Sequence, residues 1–300
     1  MSGNDGGRLA RRPRTYPSDT SDAEWALIAP LLPPPAATTP RGGRPESHPR
    51  RAVIDAIRYL VDNGCKWRAL PADFPPWRTV YGFFRRWTTS GVLARIRDAL
   101  RQKIRAVMGR CANPVTLIID SQSVKAAETV GAATRGYDAG KKINGRKRHV
   151  AVDTKGLVAL VLVTPANVPD RDAAKDLLAR LKLTHPEIVQ VWADAGYAGQ
   201  LVDWARDKLG INLRISKRPP GQTGFKVLPR RWIVERSLSW TTQARRNVRD
   251  YERLPEVSEA LINWAAIRLM TRRLAQTSVS TSGSNTPRGP IEPARPVSLR

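Results

Sequence analysis

Apolar positions recur at helical spacing through the first third of the chain and at strand spacing after it. "TSDAEWALIAPLLPPP" carries a capping box, Ser21 three residues before Glu24, and stops at Pro33–Pro35. "RRAVIDAIRYLVDNG" sets Val53, Ile57, Leu60 and Val61 on one face and ends at Gly64. "PPWRTVYGFFRRWTTSG" opens on proline, closes on glycine and repeats Trp77, Tyr81, Phe84 and Trp87, a stripe that reads as helical core. "VLARIRDALRQKIRAVMG" gives a fourth helix. After Pro114 the period changes. Strands are predicted at 116–121, 147–154, 157–166, 187–194 and 211–216, with helices over 170–182, 199–210, about 228–248 and 256–275. The order is β-β-β-α-β-α-β-α, a mixed α/β domain.

This pattern divides the chain. Residues 1–15 read as a disordered basic arm, 16–110 as a small all-α domain with a helix-turn-helix character, 112–276 as an α/β domain and 277–300 as a disordered tail. Charge then narrows the function. A net charge of +25 and a pI near 11.2 exceed what solubility needs and point to a polyanion, nucleic acid before an anionic membrane. No stretch is long and apolar enough to span a bilayer, and no secretory leader is visible. Cys65 and Cys111 lie far apart, so neither a disulfide framework nor a zinc site is expected. A cytoplasmic, nucleoid-associated setting fits these traits.

Two predicted strands end alike. "LIID" runs into Asp120 and "VQVWAD" into Asp194, each followed by small residues. Such ends in one sheet share a rim, where a divalent cation would relieve carboxylate repulsion. Glu235, in the basic and aromatic stretch "RRWIVERSLSW", is the third oxygen donor of a candidate magnesium site. Asp153 reads as a hairpin-turn residue, Asp138 as part of a solvated loop, and Asp170 and Asp172 as helix caps.

At these residues the sequence resembles a family. "IIDSQSVK", "RGYDAGKKINGRKRHVAVDTKGL", "VWADAGY" and "RRWIVERSLSWTTQARRNVRDYE" look like the bacterial insertion-sequence transposases with a DDE triad, in the group named after insertion sequence five. "DAEWALIAPLLPPP" and "GCKWRALPADFPPWRTVYGFFRRW" resemble that group's helical leader. The resemblance runs over roughly residues 16–275. It implies a ribonuclease H-like catalytic fold and a triad of Asp120, Asp194 and Glu235, which are also the metal ligands. The short interval from Asp194 to Glu235 leaves no room for the large domain some relatives insert there.

The implied reaction is hydrolysis of phosphodiesters at the element ends, then transfer of the 3′-hydroxyl to target DNA. Both steps are in-line phosphoryl transfers, served by two Mg2+ or Mn2+ ions about 4 Å apart. Arg231 lies one turn before Glu235, where relatives contact phosphate, and Arg236, Trp240, Arg245 and Arg246 extend the candidate DNA surface. Lys141, Lys142, Arg146, Lys147 and Arg148 form a second basic run expected to meet phosphates, with His149 beside it as DNA contact or site support. The family's usual tyrosine and lysine are here Leu228 and Thr242, so Arg245 or Arg246 stands in for the lysine. A helix from 51–64 or 77–90 would enter the major groove. Partners implied are double-stranded DNA (terminal repeats and target) and a second copy in a homodimer or higher assembly. No membrane and no small-molecule substrate are expected. Rival readings are a nuclease that cuts without joining, a silent DNA binder, and, weakest, a membrane-surface protein.

Overall fold

A computed structural model describes residues 12–40, 42–216 and 231–282, with side chains as far as residue 277. The first 11 residues, the 217–230 segment that holds Leu228, and the tail beyond 282 lie outside it.

The leader contains α1 (Asp22–Ile28), α2 (Arg50–Asn63), α3 (Trp77–Thr89) and α4 (Val92–Val107). The capping box at α1 forms both of its bonds, and Gly64 closes α2 in the left-handed conformation that glycine tolerates best. Upstream, Arg12 pairs with Asp19 and Asp73, so the arm is anchored from that residue on. Residues Val53 to Arg58 of α2 are all buried, which makes this helix core and removes it as a groove reader. Helix α3 buries Val80, Phe83, Phe84 and Trp87 and leaves Arg78 and Arg86 exposed. The aromatic stripe is mainly core, as its spacing predicts.

The α/β part has a six-stranded mixed sheet. It is built from β1 (Thr116–Lys125), β2 (Gly136–Asp138), β3 (Ile143–Asp153), β4 (Val158–Pro165), β5 (Gln190–Ala193) and β6 (Asn212–Ile215). The order is β2-β3-β1-β5-β6, with β4 also on β3. The β5 strand runs parallel to β1 and β6, and the other pairings are antiparallel. Strand β2 is a short addition absent from the sequence reading; three residues are too few for an alternation to show. Four helices complete the order: α5 (Asp170–Thr184), α6 (Gln200–Leu209), α7 (Arg231–Thr242) and α8 (Pro255–Ser282), the last running past its expected end. Among the described residues, no helix is long and apolar enough to cross a membrane.

Alternation along the strands feeds two cores. Ile118, Val150 and Val152 face α7, α8 and the leader, whereas Leu117, Ile119 and Ala151 face α5 and α6. The first core is continuous with Ile54, Phe84 and Leu100 of the leader, so the leader packs directly on the α/β half. Polar bonds reinforce the seam: Arg105 of α4 binds Asp153 at 2.7 Å, and Arg101 donates to the Val158 carbonyl. Asp153 also accepts the Lys155 and Leu157 N–H groups at 2.8 and 2.9 Å, closing the β3–β4 turn as expected.

Candidate active site

Where β1 and β5 part, two carboxylates face the same gap. Their parallel register ends at Ile118 opposite Trp192, and Asp120 and Asp194 each lie two residues further on. By parity Asp120 shares the face of Ile118, toward α7. The strand does not stop there as the sequence suggests. It continues to Lys125 because its other edge stays paired with β3, Asp120 opposite Val150. The acid is therefore at the end of one ladder and the middle of another.

Asp120 accepts the Ser121 N–H at 2.7 Å, and Asp194 accepts the Gly196 N–H at 2.9 Å as the cap of a single 3-10 turn. Burial raises the Asp120 carboxyl to about 6, the Asp194 charge pushes the same way, and the Ser121 N–H with the Arg231 and Lys141 charges pulls back. Glu235 enters from α7, which packs on β1 and β3. Its carboxylate is half-exposed and bound to Arg231 at 3.1 Å, one turn away.

The donor set is all oxygen, which suits hard cations. A raised carboxyl beside a second carboxylate is the electrostatic condition that such a cation relieves. Among the described residues, however, no three acid, histidine or cysteine side chains already form a coordination shell. The Asp194 charge acts on Asp120, while Glu235 is held by Arg231 at the rim.

The aspartate's raised value has a thermodynamic sign. Its folded pKa, about 6, lies above the ordinary 3.8, so the fold loses stability as pH rises through this interval and carries the full penalty above it. Asp120→Asn is expected to stabilise the protein by on the order of 2 kcal/mol at pH 7.5, and by almost nothing at pH 4. Thermal melts of both proteins at the two pH values check this.

The basic residues divide into two groups. Lys141 and Lys142 are exposed, and Lys141 lies beside Asp120 with its Nζ 3.4 Å from the Ser121 carbonyl. Arg245 is also exposed and Arg231 is half-buried. Arg236 is clasped between Trp232 and Trp240, 4.5 and 4.6 Å from the ring centres, and donates to the Lys155 carbonyl. Trp240 in turn receives Arg273, so its rings are packed against cations of the protein itself.

Arg146, Lys147, Arg148 and Arg246 are not the phosphate contacts that the sequence suggests, because all four are buried. Arg146 bonds Asp250, Thr134 and the carbonyls of Glu252 and Arg253. Lys147 bonds Asp170 at 3.1 Å and the Val168 carbonyl. Arg148 donates to the carbonyls of Asn247 and Arg249, and Arg246 binds Glu252 and the Cys65 carbonyl. The reason is topological. Strand β3 has β1 on one edge and β4 on the other, and helices cover both faces, so its side chains enter the interior whatever their charge. His149 follows suit: it is fully buried, bonded to Thr164, and held near 4 by burial, hence neutral.

Two further acids differ from expectation. Asp138 is not solvated but bonded to the Ser123 hydroxyl and the Lys141 N–H. Asp170 does not cap α5, whose cap position is Pro169; it accepts from Ser121 Oγ at 2.8 Å.

With this geometry in view, comparison with known proteins places the chain. A family described as "Transposase DDE domain" matches residues 112–270, and one described as "Putative transposase of IS4/5 family" matches residues 20–97. The chain is 33% identical over 117 residues to "Insertion element IS402 uncharacterized 16.2 kDa protein" of Burkholderia cepacia, covering 35% of this chain and 71% of that protein. It is 30% identical over 114 residues to "Uncharacterized protein y4sN" of Sinorhizobium fredii, covering 38% and 82%. The mixed sheet with flanking helices agrees with a ribonuclease H-like DDE domain preceded by a helical leader. A DNA-cleaving enzyme with DNA as its substrate follows from the family. The chain belongs to the DDE transposases of the IS4/5 family.

Proposed function

We propose that the protein binds the terminal repeats of its own insertion element, cuts the phosphodiesters at the element ends and joins the freed 3′-hydroxyls to target DNA. The observation that carries this reading is the convergence of Asp120 and Asp194 where β1 and β5 separate, with Glu235 on the helix that covers the same face. Asp120, Asp194 and Glu235 would hold Mg2+ or Mn2+, two ions per site. Bound there, the ions would supply Lewis acidity for both in-line transfers. Glu235 must first leave Arg231, and a DNA phosphate is the natural replacement: the guanidinium exchanges one anionic partner for another. The exposed amines of Lys141 and Lys142 then flank the strand beside the acids.

The leader's share is recognition and assembly. Helix α3 supports this role better than α2, because its Arg78 and Arg86 remain exposed. Next to it a groove of about 690 Å3 opens between the leader and residues 252–257, lined in part by Lys66, Arg68, Trp77 and Arg253. Residues 112–276 carry the chemistry, and two copies on the paired ends complete the proposal.

The test uses a labelled fragment carrying the element ends, incubated with protein with and without Mg2+. Metal-dependent nicks at the ends followed by strand-transfer products support the reading. Nicks without joining would make the protein a nuclease, and no nicks a silent DNA binder. Lys141→Ala is expected to weaken end binding and to lower the slope of log K against log salt by about 1, measured as a salt titration.

A further inference from the structure

Behind the Asp120–Asp194 gap, on the α5 side of the sheet, lies a third aspartate. Ser121 links it to the first: its N–H donates to Asp120 Oδ1, and its hydroxyl donates to Asp170 Oδ1 at 2.8 Å. Lys147 holds the same Asp170 oxygen at 3.1 Å. A Cβ placed on Gly196 would lie 3.8 Å from Asp170 Oδ2 and 3.1 Å from Asp194 Oδ1, so both carboxylates border the space beside Gly196.

A separate observation marks that space as a polar interior. Tyr197 is fully buried, and its hydroxyl comes close to Ser121 yet completes no hydrogen bond among the described residues. The acids that act on it are Asp170, Asp120 and Asp194 together. A buried phenol that lacks a hydrogen-bond partner is costly unless something else completes its surroundings.

We propose that Asp170 is a positioning residue of the metal site: it steadies Asp120 through Ser121 and borders Asp194 across Gly196, fixing the spacing at which the two share a divalent cation. The inference rests on the proposed role of Asp120 and Asp194. Lys147 gives this arrangement its stability, because its buried ammonium offsets the Asp170 charge without reaching the gap. The place of Asp170 in the first turn of α5, where an acid needs no further explanation, hides the connection from the sequence. Partners around a ligating carboxylate commonly change metal affinity by about 10–100-fold when removed.

The experiment follows Mn2+ alone, through the Mn2+-dependent rise in melting temperature of the full-length protein, and in parallel through the Mn2+ dependence of end cleavage. Asp170→Asn is expected to need about 10-fold more Mn2+ for half of the thermal shift and for half-maximal cleavage, with the rate at saturating Mn2+ close to wild type. Ser121→Ala should move the same midpoint in the same direction and serves if Asp170→Asn does not fold. Asp172→Asn, on the exposed side of the same turn, should leave it in place. Wild-type Mn2+ midpoints in folded Asp170→Asn and Ser121→Ala would overturn the proposal, as would loss of cleavage at every Mn2+ concentration with the thermal midpoint unmoved. An unmoved thermal midpoint in Asp120→Asn would instead remove the cation reading of the whole site, and this inference with it.

Discussion

Alanine at Asp120, Asp194 or Glu235 is expected to lower end cleavage at least roughly a thousandfold while end binding changes by no more than about threefold. The size follows from the chemistry: a cation that polarises a phosphoryl oxygen contributes several kcal/mol to the transition state, and each 1.36 kcal/mol is tenfold in rate. Binding is spared because affinity for DNA comes from cationic contacts with phosphates, and an acid at the gap contributes none. Removing Asp120 even lightens local repulsion, since its carboxyl is held up by burial and by Asp194. Glu235→Ala additionally frees Arg231, so binding of uncut DNA should tighten slightly in that variant. Gel-shift titrations paired with single-turnover cleavage report the two effects separately. Full cleavage by any of the three variants would remove that residue from the site.

Arg146→Ala is expected to cost about 3–5 kcal/mol of stability, measured by urea denaturation. Its guanidinium is wholly buried, and so is its partner Asp250, at 3.2 Å. The other donors hold the Thr134 loop and the carbonyls at 252 and 253. Truncation therefore leaves a buried carboxylate without its charge partner and several carbonyls without donors. Had Arg146 been a phosphate ligand, the same substitution would leave stability untouched and flatten the salt dependence, the behaviour predicted above for Lys141. These two neighbours in one basic run thus separate anchoring from binding.

That contrast shows what the sequence discloses. Local chemistry was legible. The capping box at Ser21 and Glu24, the stop at Gly64, the turn at Asp153 and the acids just past "LII" and "QVWA" all act through residues near them in the chain. The fate of "GRKRH" was not. A run of like charges ordinarily reads as a solvated face, and only the pairing of β3 with strands on both edges sends Arg146 and Arg148 inward to meet residues 247–253. The groove-reading alternative for α2 is disfavoured for the same reason: its polar members Asp55 and Arg58 bind Thr20 and Glu24 inside the leader. Asp170 sat at the start of a helix, where an acid needs no further explanation, and its bond to Ser121 spans 49 positions. Burial of a charge is decided by what covers it, and that information is non-local.

The acids also account for an apparent cost. Asp120 sits where its own ionisation opposes folding, and no described side chain pairs with it directly. Groups held in that state are a frequent mark of a functional site. Glu235 and Arg231 form an ion pair at the rim; under the proposed function, assembling the third ligand would be coupled to the arrival of a phosphate.

The most direct measurement of this coupling is anomalous diffraction from Mn2+ in crystals of the protein bound to an element-end duplex. The account predicts manganese between the carboxylates of Asp120 and Asp194, with Glu235 turned off Arg231 to join them and Arg231 on a phosphate. Manganese bound elsewhere, or the Glu235–Arg231 pair intact beside a filled site, would contradict it.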